Sequence, residues 1–277
     1  MRLGFHISIA GGFKNVIARA LDRGCETIQL FSRNPRGWKY NPLKTEDLEA
    51  FKKQAPESGI SPIFVHMPYL PNLASPRPEL FKLSVTSLVE DLKRTEKIGA
   101  KFLIMHAGSA EDKDQGRKSM IVGIKEALEK IDNDVSLLIE NTAGGGNELG
   151  YSFEQIAEII DGIGEPVRIG VVLDTAHAFA AGYDLRTKSA VNKTIAEFND
   201  TVGLNRLHMI HFNDSKTSLG SRRDRHWHIA KGEIGQGLAF VLRHPLLQDK
   251  PFIMETPRID LKEDLNNMAM AKSFIGR

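Results

Sequence analysis

Six short apolar runs in this chain finish on a histidine or a carboxylate. They read Ile63-Phe64-Val65-His66, Phe102-Leu103-Ile104-Met105-His106, Ser136-Leu137-Leu138-Ile139-Glu140, Val171-Val172-Leu173-Asp174, His208-Met209-Ile210-His211 and Phe252-Ile253-Met254-Glu255. Two shorter clusters add to them: His177 follows Asp174 by three positions, and Asp224 and His226 are two apart, on one side of an extended segment. The resulting set is His66, His106, Glu140, Asp174, His177, His211, Asp224, His226 and Glu255. Imidazole and carboxylate together form a ligand set for zinc or manganese. Nine such groups exceed the needs of one tetrahedral zinc. They suit two or three cations, with bridging carboxylates and open positions for water. Gathered on one face without cations, the charges would repel and be costly to bury.

Positioning these groups calls for parallel strands that all end on the same face. Strand-like segments lie near 2–6, 26–31, 61–66, 101–106, 135–140, 168–174, 206–211 and 251–255. Helix-like segments lie near 13–23, 45–57, 77–98, 114–131, 153–162, 187–201, 237–243 and 261–274. Eight of each in alternation, with strands apolar on both faces, predict a TIM (β/α)8 barrel of the α/β class. Thr45-Glu46-Asp47-Leu48 and Ser152-Phe153-Glu154-Gln155 resemble helix-capping sequences. The long connections, 31–44, 67–76, 141–151, 175–186 and 212–236, all follow strands, so the active site is expected at the carboxyl-terminal face of the barrel. An open doubly wound sheet is the alternative, but Gly11-Gly12 comes too late after the first strand to serve as its phosphate loop.

A length of 277 residues is close to that of one such barrel, and no linker divides it, so a single catalytic domain over 1–277 is expected. No apolar run approaches the roughly 18 residues that span a membrane. The start, Met1-Arg2-Leu3-Gly4-Phe5-His6, runs directly into a strand and has no signal-peptide shape. One cysteine, Cys25, excludes an intrachain disulfide and a multi-thiolate zinc site, and a cytoplasmic location is expected. A net charge of +2 neither advertises nor excludes nucleic acid as a partner.

The remaining histidines read differently. His6 ends the first strand and fits a core position. His208 is expected to point outward toward the helices, His228 to be solvated, and His244 to be incidental. Lys93-Arg94 and Arg222-Arg223 are expected as solvated charges, the latter pair inside a ligand-bearing loop. Trp38 is expected to pack its loop.

Three long stretches resemble the endonuclease IV family of apurinic/apyrimidinic endonucleases. They are Ile139-Glu140-Asn141-Thr142-Ala143-Gly144, the run from Leu173 to Asp184, and His211-Phe212-Asn213-Asp214-Ser215-Lys216 continuing to Gly220-Ser221-Arg222-Arg223-Asp224-Arg225-His226. His6-Ile7-Ser8 followed by Gly11-Gly12 fits as well. The resemblance covers nearly the whole chain. Ala176, Gly145 and Ala230 depart from it, standing where cysteine, glutamine and glycine are usual.

The resemblance implies three Zn2+ per chain. His66, His106 and Glu140 would hold one. Glu140 as a bridge, with Asp174, His211 and Glu255, would hold a second, and His177, Asp224 and His226 a third. Against the four carboxylates, three Zn2+ leave about +2 at the mouth, a local field that attracts a phosphodiester. The implied reaction is hydrolysis of the phosphodiester 5′ to an abasic site in double-stranded DNA, leaving a 3′-hydroxyl and a 5′-deoxyribose phosphate. Glu140 is the expected catalytic residue, and no covalent protein nucleophile is required, so Ser109 and Cys25 are not candidates. Arg36, Tyr69 and Leu70 would insert at the lesion, where the missing base makes extrusion cheap. A monomer is expected, with trimming of blocked 3′ ends as an additional activity. The rivals are a metal-dependent sugar isomerase on the same barrel, which needs fewer metals, and an idle lesion-binding protein, which should lack ligands.

Overall fold

A computed structural model describes residues 1–164, 168–257 and 260–277. The strands in chain order are β1 (Arg2–His6), β2 (Thr27–Phe31), β3 (Ile63–His66), β4 (Phe102–His106), β5 (Ser136–Glu140), β6 (Ile169–Asp174), β7 (Leu207–His211), the short pair β8 (Asp214–Ser215) and β9 (His226–Trp227), and β10 (Pro251–Met254). Strands β1 to β7 and β10 are parallel and close into an eight-stranded barrel. Each pairs with its neighbour in sequence, and β10 closes the ring between β7 and β1. The helices are α1 (Val16–Leu21), α2 (Thr45–Ser58), α3 (Pro78–Ile98), α4 (Lys113–Glu129), α5 (Phe153–Ile163), α6 (Thr175–Ala181), α7 (Lys188–Thr201), α8 (Leu238–Leu242) and α9 (Leu261–Ser273). None of the helices among the described residues is long and apolar enough to cross a membrane.

Strand periodicity explains why the apolar runs end as they do. Phe64, Ile104, Leu138, Val172, Met209 and Ile253 are all fully buried and form one cluster inside the barrel. Their strand neighbours, such as Val65, Leu103, Ile139, Leu173 and Phe252, belong to the separate core beneath the helices. Two positions beyond each interior residue the side chain faces inward again. Those six positions are His66, His106, Glu140, Asp174, His211 and Glu255. The polar groups are therefore the next layer above an apolar plug, on the strand-exit side of the barrel.

Four local expectations are corrected. The segment 175–186 is not all loop: α6 starts directly on β6, with the Asp174 side chain accepting from the His177 backbone N–H at 2.7 Å. Helix α2 begins after Lys44 without a side-chain cap, so the Thr45 sequence does not act as the capping box it resembles. Ser152 does cap α5, accepting from Gln155 N. His208 does not face the helices. The β6–β7 register passes from Val171↔Leu207 to Val172↔Met209, so His208 is the extra residue of a bulge. Its ring meets Phe102 inside the barrel floor at 5.3 Å, over Gly170, where a Cβ would collide with it. His228 is not solvated but buried, with Nδ1 accepting from Asn267 Nδ2 at 3.1 Å.

One departure from the family pattern has a backbone consequence. Ala230 sits at φ 62°, in the left-handed region. That costs an L-residue about 1–2 kcal/mol, while glycine loses about 0.4–1 kcal/mol through unfolded-chain entropy. Ala230→Gly is therefore expected to stabilise the protein by roughly 0.5–1 kcal/mol, a rise of about 1–4 °C in Tm. Thermal unfolding of the two proteins side by side checks this; a fall in Tm would refute the strain.

Candidate metal centre

The barrel mouth brings all nine candidate ligands together. Glu140, fully buried at the end of β5, lies at the middle. Its Oε2 is 3.1 Å from His66 Nε2 and 3.1 Å from His106 Nε2; its Oε1 is 2.9 Å from His211 Nδ1 and 3.3 Å from His177 Nδ1. His211 Nδ1 is also 3.7 Å from Glu255 Oε2 and 3.9 Å from Asp174 Oδ2. On the far side, His226 Nε2 stands 3.3 Å from His177 Nε2 and 3.4 Å from Asp174 Oδ2. Asp224 Oδ1 closes this group at 3.3 Å from His177 Nε2 and 3.5 Å from His226 Nε2. Donor atoms of His66, His106 and Glu140, of Glu140, Asp174, His211 and Glu255, and of Asp174, His177 and His226 each fall within 4.8 Å of one another. His226 reaches the mouth on β9, which pairs antiparallel with β8.

Four of the five candidate imidazoles are held in fixed tautomers. His66 Nδ1–H donates to Met67 O at 2.6 Å, His177 Nδ1–H to Asn141 O at 2.9 Å, and His226 Nδ1–H to Glu255 O at 3.2 Å. His211 Nε2–H donates to Gln29 Oε1 at 2.7 Å. The other ring nitrogen of each then carries a lone pair turned into the mouth. Such outer partners are how metal-ligating histidines are oriented. Between His177 and His226 two lone pairs face each other at 3.3 Å, with Asp224 and Asp174 oxygens beside them. That arrangement is repulsive unless a cation or protons sit between. Ligands about 2.0–2.1 Å from a shared zinc stand roughly 3.3–3.4 Å apart, close to the 3.3–3.5 Å between donor atoms of His177, His226 and Asp224. The donor set fits a divalent transition metal such as zinc or manganese.

Without cations, protons take up the charge. Burial by itself would raise the Glu140 carboxyl, but the charges of His211 and His106 outweigh it and hold it well below the carboxylate range. Burial would lower His211, yet Glu140 and Glu255 push it up to about 9. His106 and His177 are raised despite their burial, by Glu140 and by Asp174 with Asp224 respectively. Asp224 and Glu255 are lowered against burial by their histidine partners.

Three supporting residues were not singled out from the sequence. Gln29 donates to Glu255 Oε1 at 2.6 Å while accepting from His211. Asn213 donates to Asp174 Oδ2 and accepts from Glu255 N, both at 2.7 Å. Asn141 Oδ1 accepts from Asp174 N at 2.7 Å. Gln29 had a signal: it is a polar residue inside the apolar run Ile28-Gln29-Leu30. His6, read as a core residue, is buried with Nδ1 3.1 Å from Glu255 Oε1.

The mouth is an open cavity of about 920 Å3. Asn34, Pro35 and Arg36 of the β2–α2 loop and Tyr69 of the β3–α3 loop form part of its wall. Tyr69 is 63% exposed although its ring lies 5.7 Å from Phe31 and 5.8 Å from His66; Leu70 beside it is 38% exposed. Tyr69 is thus presented to whatever enters, with Leu70 exposed beside it. Arg222 is exposed, as expected of a solvated charge, and its guanidinium also stacks on Tyr151 at 3.9 Å, linking the ligand-bearing loop to the loop between β5 and α5. Trp38 is partly buried in its loop.

A closed parallel barrel with histidines and carboxylates massed at its strand exits defines the metal-dependent class of TIM-barrel enzymes. A family model described as a xylose isomerase-like TIM barrel matches residues 17–273. The probable endonuclease 4 of Methanoculleus marisnigri is 43% identical over 278 residues, covering 99% of both chains. The crystal structure of endonuclease IV from Thermus thermophilus superposes with a TM-score of 0.90 at 36% identity, covering 99% of each chain. A D-tagatose 3-epimerase-like protein shares the fold at a TM-score of 0.77 and 16% identity, covering 99% of this chain and 97% of that one. The chain belongs to the endonuclease IV family and is a DNA-repair endonuclease.

Proposed function

We propose that this protein is a three-zinc endonuclease that cuts duplex DNA at the phosphodiester 5′ to an abasic site, leaving a 3′-hydroxyl and a 5′-deoxyribose phosphate. The carrying observation is the convergence of fixed-tautomer lone pairs and carboxylates on one mouth, above all the facing nitrogens of His177 and His226. His66, His106 and Glu140 would hold one zinc, Glu140, Asp174, His211 and Glu255 a second, and His177, Asp224 and His226 the third. Zinc bound there supplies Lewis-acid charge that lowers the pKa of water toward roughly 7 and offsets the charge of the phosphodiester. Glu140 joins the three groups, since it touches histidines of each. Asn213 and Gln29 hold the surrounding carboxylates and His211 in place. Arg36, Tyr69 and Leu70 supply a cation and an apolar wedge at the rim, where an extruded sugar leaves a gap in the stack. The reading makes 1–277 one catalytic domain, acting as a monomer in the cytoplasm, with 3′-end trimming as a lesser activity.

The test is incision of a duplex carrying a tetrahydrofuran abasic mimic. The zinc-loaded protein should cut once, 5′ to the mimic, and leave an end that a polymerase extends. An intact mimic after prolonged incubation would refute the reading. The wedge has its own check. Aromatic stacking on nucleic acid is worth about 1–3 kcal/mol, so Tyr69→Ala should lower the preference for abasic over intact duplex roughly tenfold or more, with zinc content unchanged. An unaltered preference would remove Tyr69 from recognition.

A further inference from the structure

The β2–α2 loop has almost no backbone hydrogen bonds of its own. From Ser32 to Asn41 it forms neither helix nor strand, yet its residues 34–36 wall the metal cavity. Its shape is held by α3. Arg94, expected from the sequence to be a solvated charge, is 5% exposed. Its Nε and Nη2 donate to Ser32 O at 3.2 and 2.8 Å, and its Nη1 to Asn41 O at 3.0 Å. Arg33 points inward from the loop. It donates to Gly37 O at 2.6 Å, to Ser87 Oγ at 2.8 Å and to both oxygens of Asp91 at 3.3 Å, and lies over the Tyr40 ring at 4.5 Å. Fully buried Asp91 also accepts from Ser32 Oγ at 2.5 Å.

Ser87, Asp91 and Arg94 are spaced four and three apart, so they form one stripe on α3. The helix already buries an apolar face through Val85, Leu88 and Leu92. A buried ion cluster is a poor device for stability alone, because desolvation offsets the attraction and apolar residues would do as well. Here the guanidinium donors go to carbonyls at the start, middle and end of the loop, which an apolar cluster could not satisfy. One turn earlier, Ser84 Oγ accepts from Asn72 N at 2.8 Å and so anchors the loop that carries Tyr69 and Leu70.

We infer that Asp91, with Arg33 and Arg94, is a positioning cluster that presets the 32–41 loop for abasic duplex and sets substrate affinity rather than the chemical step. The inference rests on the abasic-DNA reading above. Its test pairs hydrogen exchange of the zinc-loaded protein with steady-state incision of the tetrahydrofuran duplex. Asp91→Asn should speed amide exchange in 32–41 and raise KM about tenfold, with kcat within twofold and zinc content unchanged. Arg33→Lys, which keeps the charge and loses the fork, should do the same to a smaller degree and serves if Asp91→Asn does not fold. Ile124→Ala, in the core face of α4, is the control for general destabilisation and should leave loop exchange and KM as in wild type. Unchanged exchange in 32–41, or faster exchange with unchanged KM, overturns the inference, as does a joint fall of kcat and zinc content. If the wild type fails to incise while the loop still loosens in the variants, the function reading is what has failed, and the DNA part of this inference falls with it.

Discussion

Glu140→Gln is expected to reduce incision by more than about a hundredfold while the barrel stays folded. Loss of a partner that only orients a metal ligand costs roughly 10–100-fold, and in the proposed function Glu140 bridges cations as well. It lies within 3.3 Å of His66, His106, His177 and His211, which belong to all three proposed ligand groups. Glutamine keeps the volume, so the apolar layer beneath is untouched. What changes is charge, and an amide is a poor bridge between cations. Far-UV circular dichroism should match wild type, and incision of the tetrahydrofuran duplex should be lost. A near-wild-type rate after the metals are removed and restored would contradict the role given to Glu140.

Chelation is expected to abolish incision, and added Zn2+ to restore it where Mg2+ does not, because imidazole nitrogens suit zinc and magnesium prefers oxygen. Reloading should depend on pH. In the metal-free protein, His211 has a pKa of about 9 through Glu140 and Glu255, against about 6.5 when unfolded. Its folded value is raised, so its stabilising contribution is complete below 6.5 and lost as pH rises through 9. Zinc requires the deprotonated ring. Uptake at pH 7 should therefore release protons and strengthen between pH 7 and 9, over the range in which the metal-free form weakens. Titration calorimetry in two buffers of different ionisation enthalpy reads the proton release; equal heats in both would show that these imidazoles are not displaced from their protons.

The barrel was legible because a strand buried on both faces leaves a largely apolar run, and all eight such segments lie within two residues of the observed strands. The set of candidate ligands was legible for the same reason: a histidine or carboxylate ending such a run is out of place unless it faces a site. What was hidden depends on neighbours. The His208 bulge is a property of the β6–β7 register, which no single strand encodes. The short helix α6 is capped by Asp174, itself a candidate ligand, and is too brief to show a period. Arg94 falls on a polar stripe that periodicity cannot distinguish from a solvated face; only the loop packed over it reveals the difference. The ring nitrogens of His177, His226 and His211 that face the mouth are likewise chosen by Asn141 O, Glu255 O and Gln29 Oε1, each far from its histidine in the chain.

The most direct test is elemental analysis of zinc per chain, on protein loaded to saturation and then freed of excess ion. The convergence of nine donor side chains predicts about three tightly held ions, as expected where four-coordinate sites share carboxylates. A value of two or fewer in protein that is fully active on abasic duplex would contradict it.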